Sequence, residues 1–586
     1  MSIVDIETGM FGSIAASLVY PAAAILALLW IYMQIVRSPV VLTHAHETIH
    51  IPIVDPDTHR IRRMPLSEFV KKHCPGLYGP KAVYHPTLWL SNGHLQTIFT
   101  SFYNDKMKNA NYFNNGFRYE RDHLQLPDGG NIALDWCPGP NRHPFDETPI
   151  VVILHGLTGG SHESYIKDLV REVTKGPQYY RCVVVNFRGC AGTKLTTSQL
   201  YCAAYTGDIK FALDYIRRKC PESPLIGIGF SLGANIILKA VGEMGSDCPF
   251  IAAISVGNPY DLLISSRALH RSLVGKIYSA AMTVSLKSLF RSHIDAIKDQ
   301  ELIDPDHVLK ARRITDFDDR ATRIAFRYRT VDEYYRLGSS APHIPNVRVP
   351  LLCLHAIDDP IAHKEALPYH EIRSNPYAIL ATTQQGGHLG WWSGNFTIKR
   401  WFPGPVHEFI TAMFETYLSL PPDLQKTFAT PIGLSAPLVP SRAILPFSTP
   451  IDPHIIHKEI HATSFGESDN DLSDSEVELE SVPDPNTHTH TNNNTDGTAT
   501  PVPDPTSAGA SRSHPTQPAQ PVPASQLLRP TPALHRAVSR QSSATHIYAL
   551  FLIKKLVETI RYKGIVVVLL SWFFGYYMGK SRRLLN

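Results

Sequence analysis

The sequence predicts an α/β protein: a mostly parallel sheet with helices on both faces. Two observations predict it. Continuous apolar runs bounded by turn residues recur through the middle of the chain, and helical patterns separate most of them. Strands buried on both faces of a parallel sheet carry apolar residues continuously rather than alternately. Taken in order, residues 117–136 read as two strands joined by Asp128-Gly129-Gly130, a hairpin signal. The continuous apolar runs follow at 149–154, 182–187, 225–230, 250–256, 349–356 and 377–382. Helical patterns occupy 205–219 and 234–244. Between 259 and 345 the strand pattern stops and amphipathic helical patterns such as 272–290 replace it. That stretch is expected to be a cap of helices over the sheet.

The 586 residues carry a net charge of +4. So even a balance excludes a nucleic-acid binder, which would show a concentrated basic face. Eight cysteines are too sparse for a disulfide scaffold, and none forms a C-x-x-C pair. Several fall inside apolar runs and are expected as core residues, and the catalytic part is expected to face a reducing compartment. No metal or other cofactor is expected.

Four segments differ in composition. Residues 1–40 are expected to be a membrane anchor: 12–36 carry no charge, and about 25 such residues span roughly 30 Å as a helix. The acidic flank (Asp5, Glu7) and the lack of a small-residue cleavage site separate this run from a signal peptide. Arg37, Arg60, Arg62, Arg63, Lys71 and Lys72 all follow it, so the positive-inside tendency places the downstream chain in the cytosol. Residues 80–440 have globular composition and hold the expected catalytic domain, with its cap at about 259–345. Residues 464–545, rich in Ser, Thr, Pro, Asn and Asp, bury too little apolar area to offset chain entropy and are expected to be disordered. Residues 546–586 are expected to be an amphipathic or membrane segment, either a short second span or an interfacial helix. Asn395 and Asn493 match glycosylation acceptors, but a cytosolic domain leaves them unmodified.

Ligands of such sheets bind at the carboxyl ends of the strands. There, Gly229-Phe230-Ser231-Leu232-Gly233 matches G-x-S-x-G between a predicted strand and a predicted helix. A sharp turn at that junction exposes Ser231 as a nucleophile. A serine hydroxyl needs a base, and the base needs an orienting carboxylate. The chain order is Ser, then acid, then His. The strand at 349–356 runs into Asp358-Asp359-Pro360, and the strand at 377–382 runs towards Gly386-Gly387-His388. His388 is therefore the expected base. The acid is Asp359 or Asp358; Asp359 is preferred for its register before Pro360-Ile361, with the other aspartate capping the turn. The first apolar strand ends in His155-Gly156-Leu157-Thr158-Gly159-Gly160. Backbone amides of Leu157 and Leu232 are the expected oxyanion donors, each worth about 2.7–4 kcal/mol in the transition state. An H-x-x-x-x-D match at His123 and Asp128 straddles the first hairpin and is read as coincidence.

Together with Asn186-Phe187-Arg188-Gly189-Cys190 and the upstream Trp89-Leu90-Ser91-Asn92-Gly93-His94-Leu95-Gln96-Thr97, these motifs resemble the type 4 AB hydrolase family of α/β-hydrolases. The resemblance covers roughly residues 86–418. It implies the α/β-hydrolase fold and a triad of Ser231, Asp359 and His388. It also implies an acyl-enzyme that passes its acyl group to water or to an alcohol. The family includes medium-chain fatty acid ethyl ester synthase/esterases, an acylglycerol lipase and membrane-anchored lipid hydrolases. The expected substrates are thus acyl esters or thioesters of medium-chain fatty acids, including acyl-CoA, with acylglycerols or phospholipids as the alternative. The expected site of action is a membrane, that of the endoplasmic reticulum or a lipid droplet. The opposing reading is a non-catalytic hydrolase-fold scaffold, which would have no need to keep Ser231, Asp359 and His388 together.

Overall fold

A computed structural model of the chain describes residues 37–428, apart from 56, 110–117, 138–146, 176–179, 298–301, 396 and 427. The expected anchor run at 12–36, the 464–545 linker and the 546–586 segment lie outside the described residues. Among the described residues no helix is long and apolar enough to cross a membrane.

A nine-stranded sheet organises the molecule. Its strands, in chain order, are β1 (Val41–His44), β2 (Glu120–Gln125), β3 (Asn131–Cys137), β4 (Ile150–Leu154), β5 (Arg181–Asn186), β6 (Leu225–Phe230), β7 (Phe250–Val256), β8 (Leu351–Ala356) and β9 (Ala378–Thr383). Their spatial order is β1-β9-β8-β7-β6-β4-β5-β3-β2. From β9 through β5 every neighbouring pair is parallel. The antiparallel pairs are β1 on β9, β3 on β5 and β2 on β3. The central strands have the expected sequences: Ile-Val-Val-Ile-Leu in β4 and Leu-Ile-Gly-Ile-Gly-Phe in β6 are buried throughout. Strand β2 is mostly exposed and charged, which suits an edge that must not recruit another strand.

Numbering only helices of eight residues or more, the described residues form α1 (Leu66–His73), α2 (Gly93–Asn109), α3 (Ser164–Val173), α4 (Gly207–Lys219), α5 (Leu232–Met244), α6 (Leu262–Arg271), α7 (Leu273–Ser292), α8 (Val331–Gly338) and α9 (Pro403–Ser419). Helix α5, apolar nearly all round, is correspondingly buried against the sheet. Helices α6, α7 and α8 and the short helices between them form the insert between β7 and β8. This is the stretch expected as a cap, and it has a small apolar cluster of its own around Leu286, Phe290 and Phe317.

The expected domain start at residue 80 is too late. Strand β1 closes one edge of the sheet, and Ile49, Ile51, Phe69 and Val70 belong to the same core. The folded unit therefore includes residues from 37 onward. A four-residue edge strand paired on one side carries too little pattern to be seen in a sequence. All eight cysteines are free, and all but Cys248 are fully buried, as expected of core residues.

Candidate active site

The junction of β6 and α5 positions Ser231. Its backbone sits at φ 53° and ψ −117°, a conformation that non-glycine residues avoid. The turn is tight because both flanking glycines are needed. A Cβ on Gly229 would meet the carbonyl of Gly233, and a Cβ on Gly233 would meet the carbonyls of Leu154 and His155. The Ser231 amide donates to the carbonyl of Val256 at 3.0 Å, which ties the turn to β7.

The structure brings Ser231, His388 and Asp359 together. His388 Nε2 lies 2.8 Å from Ser231 Oγ, and His388 Nδ1 lies 2.8 Å from Asp359 Oδ2. The other carboxylate oxygen of Asp359 accepts the amides of Ile361 and Ala362 at 2.8 and 2.9 Å. Burial pushes the Asp359 carboxyl up, but the His388 charge and hydrogen bond and these amides outweigh it and hold it below the usual range. It is thus an anion facing an imidazole N–H.

Asp358, the other candidate acid, pairs with the backbone instead of the imidazole. Its Oδ1 accepts the Gly387 amide at 2.9 Å and so caps the histidine loop. Burial, with the adjacent Asp359 charge, raises its carboxyl to about 6.

The loop after β4 places Leu157 beside the serine. Gly156 N donates to the Tyr165 hydroxyl at 2.9 Å, and Thr158 N donates to the Tyr201 hydroxyl at 2.7 Å. The amides on either side of Leu157 are therefore occupied. Among the described residues, the amides of Leu157 and Leu232 meet no protein acceptor. Both residues line the same cavity as Ser231. His155 braces the loop: Nδ1–H donates to Gly156 O at 2.7 Å, and Nε2 accepts the Phe187 amide at 3.2 Å. Burial drives its pKa down to about 4, so the ring is neutral and can play both roles.

Three further groups support the site, and their roles leave no local signal in the sequence. Thr97 Oγ1 accepts the His388 amide at 2.9 Å. Gln96 accepts the Trp392 amide at 3.0 Å and donates to the Tyr84 hydroxyl at 2.7 Å, clamping the segment after the histidine. Asn186 Oδ1 accepts the Ser161 amide at 3.0 Å, holding the end of the glycine loop. The motifs 89–97 and 186–190 were visible as motifs. Their task, bracing two loops distant in sequence, was not. Asp128 of the H-x-x-x-x-D match is engaged elsewhere: it accepts Arg188 Nη1 at 2.5 Å and the Gly130 amide at 3.0 Å.

Above the serine lies a cavity of about 140 Å³. Leu269, Leu286, Phe290, Phe317 and Ile314 of the insert line it, together with Leu157 and Leu232. One carboxyl interrupts the apolar wall. Asp318 accepts the Tyr335 and Thr322 hydroxyls, each at 2.7 Å, and burial raises it to about 6.

Comparison with known proteins bears on the fold. Residues 149–268 match a family described as alpha/beta hydrolase fold. The chain is 32% identical over 353 residues to a phospholipase named ABHD3 from Homo sapiens, covering 60% of this chain and 83% of that protein. It is 32% identical over 381 residues to a monoacylglycerol lipase of Saccharomyces cerevisiae, covering 57% of this chain and 82% of that protein. A medium-chain fatty acid ethyl ester synthase/esterase of the same yeast is 31% identical over 289 residues, covering 46% of this chain and 63% of that protein.

Proposed function

This chain belongs to the α/β-hydrolase superfamily, and on that premise we propose that it is a membrane-associated serine hydrolase that cleaves acyl esters of lipids through an acyl-enzyme. The observation that carries the reading is the continuous hydrogen-bonded line Asp359–His388–Ser231, which ends on a serine lining an apolar cavity. His388 Nε2 takes the Ser231 proton as Oγ attacks the ester carbonyl. Asp359 fixes the imidazole with Nε2 toward the serine and stabilises the imidazolium that forms. The amides of Leu157 and Leu232 receive the oxyanion. The tetrahedral intermediate expels its alcohol, which leaves with the proton from His388. Water, deprotonated by the same histidine, then releases the fatty acid and restores Ser231.

The apolar cavity suits an acyl chain. The names of the phospholipase and the monoacylglycerol lipase favour acylglycerols or phospholipids as the ester. The ethyl ester synthase/esterase supports a second reading, in which an alcohol replaces water and medium-chain acyl groups are transferred. Membrane association rests on the charge-free run at 12–36 and the apolar run at 564–579.

A fluorophosphonate probe tests the nucleophile. The wild-type chain is expected to be labelled and Ser231→Ala not, with the variant still folded. Undiminished labelling of Ser231→Ala would remove the central assignment.

A further inference from the structure

The first half of helix α7 turns its large apolar residues outward. Its buried side carries Gly275, Ser279 and Thr283 in that half and Leu286 and Phe290 beyond it, whereas Leu273, Val274 and Ile277 stand 77%, 39% and 38% exposed. Single exposed leucines are ordinary; three large apolar residues grouped on the exposed side of one helix end, with small and polar ones buried opposite, are not. Packing fixes this orientation. A Cβ on Gly275 would meet the carbonyl of Leu269, so α6 and α7 touch closely there. The Ser279 hydroxyl accepts the Ile314 amide at 3.1 Å, and Lys287 Nζ donates inward to the carbonyls of Leu309 and Ala311 at 3.2 and 2.9 Å. The helix cannot roll its apolar face inward without breaking these contacts.

The charge of the helix has one sign. Its 20 residues hold Lys276, Lys287 and Arg291 and no acid, and Lys276 and Arg291 are exposed. The helix is also the wall between solvent and site. Met282, Leu286, Leu289 and Phe290 line the cavity from its inner side. Near its start, Tyr278 stacks on His94 with ring centroids 5.8 Å apart, and the neighbouring Gly93 lies against Asp358, which caps the histidine loop.

We infer that the exposed face of α7 docks on the surface of a lipid bilayer, seating Leu273, Val274 and Ile277 among the acyl chains with Lys276 and Arg291 at anionic headgroups. An apolar face with basic residues and no acids is the composition of an interfacial helix. The inference rests on the lipid-hydrolase reading and deepens it, because the docked helix gives an ester in the bilayer a short apolar route to the cavity. A second copy of the chain is the weaker occupant, since two such faces would bring like charges together.

The test uses the full chain reconstituted in mixed phosphatidylcholine–phosphatidylserine vesicles with brominated acyl chains. A thiol-reactive fluorophore is placed at Ile277→Cys and, as a control, at the exposed Glu222→Cys. The native thiols compete poorly, because seven are buried and burial pushes that of Cys248 up to about 12. Quenching at 277 and not at 222 is expected. In parallel, Leu273→Glu/Ile277→Glu should lower kcat/KM for a vesicle-borne ester at least about tenfold, since two apolar side chains no longer insert. Hydrolysis of a water-soluble short-chain p-nitrophenyl ester should stay unchanged. An unquenched label at 277, or equal loss on both substrates, overturns the inference. Cross-linking of chains to one another through 277 assigns the face to a second copy and overturns it too. Quenching at 277 in a protein with no Ser231-dependent hydrolysis of either ester supports docking while overturning the hydrolase reading.

Discussion

Asp358 and Asp359 are adjacent in sequence and opposite in task. Asp359 is held as an anion against His388 Nδ1, whereas Asp358 caps the amide of Gly387. Asp359→Asn should therefore lower kcat by about 10⁴, because the imidazole loses its orienting anion and settles in the wrong tautomer. Asp358→Asn should leave kcat within about tenfold, because the lost contact is one hydrogen bond in a loop. Measured kcat for the two variants decides between them, and the reverse pattern would exchange their roles. Thr97→Val removes the acceptor for the His388 amide and should cost about tenfold in kcat with the protein still folded. At this scale the sequence was legible where chemistry fixes order: Ser231, the paired aspartates and His388 follow one another along the chain. It was not legible for Thr97 or Gln96, whose partners lie almost 300 residues away and leave no local pattern.

Among the elements, the β6–α5 turn tolerates least. Gly233→Ala would press a methyl on the carbonyls of β4 and the residue after it, both backbone groups that cannot yield. That variant should fail to accumulate as folded protein, whereas Ser231→Ala should accumulate normally; circular dichroism of the two distinguishes the outcomes. The insert holds a titratable group. Asp318, raised to about 6 from 3.8 by burial, is favoured in the fold when protonated. Its contribution is full below the unfolded value and is lost as pH rises through about 6, so at neutral pH its charge weakens the insert. Asp318→Asn keeps the shape, and the Tyr335 and Thr322 hydroxyls can still pair with it. The melting temperature of this variant should exceed that of the wild type at pH 8, with the gain shrinking below pH 5. A gain that grows on acidification would contradict the assignment. The central strands were legible because strands buried on both faces are continuously apolar. Strand β1 was not, because four residues paired on one side only carry too little pattern. The helices of the insert were legible, but the outward apolar face of α7 was not, since only packing shows which side is buried.

For the molecule as a whole, the described sheet starts at β1 in chain order. A chain starting at residue 37 keeps the sheet edge and the core residues Ile49, Ile51, Phe69 and Val70, and should fold without the charge-free run at 12–36. One starting at residue 80 loses them and should be insoluble. If the chain starting at 80 folded with an unchanged melting temperature, the described edge of the domain would be wrong. The first of these chains should also bind vesicles more weakly than the full chain, because one of its apolar segments is gone.

The most direct test of the account is the product of the reaction. Membranes carrying the wild-type chain or Ser231→Ala receive a monoacylglycerol, a phosphatidylcholine, or octanoyl-CoA with ethanol, and free fatty acid and ethyl ester are followed. Fatty acid from a lipid ester is expected to appear with the wild type and to vanish with Ser231→Ala; serine-dependent ethyl ester would add acyl transfer to it. Equal release by both proteins would contradict it.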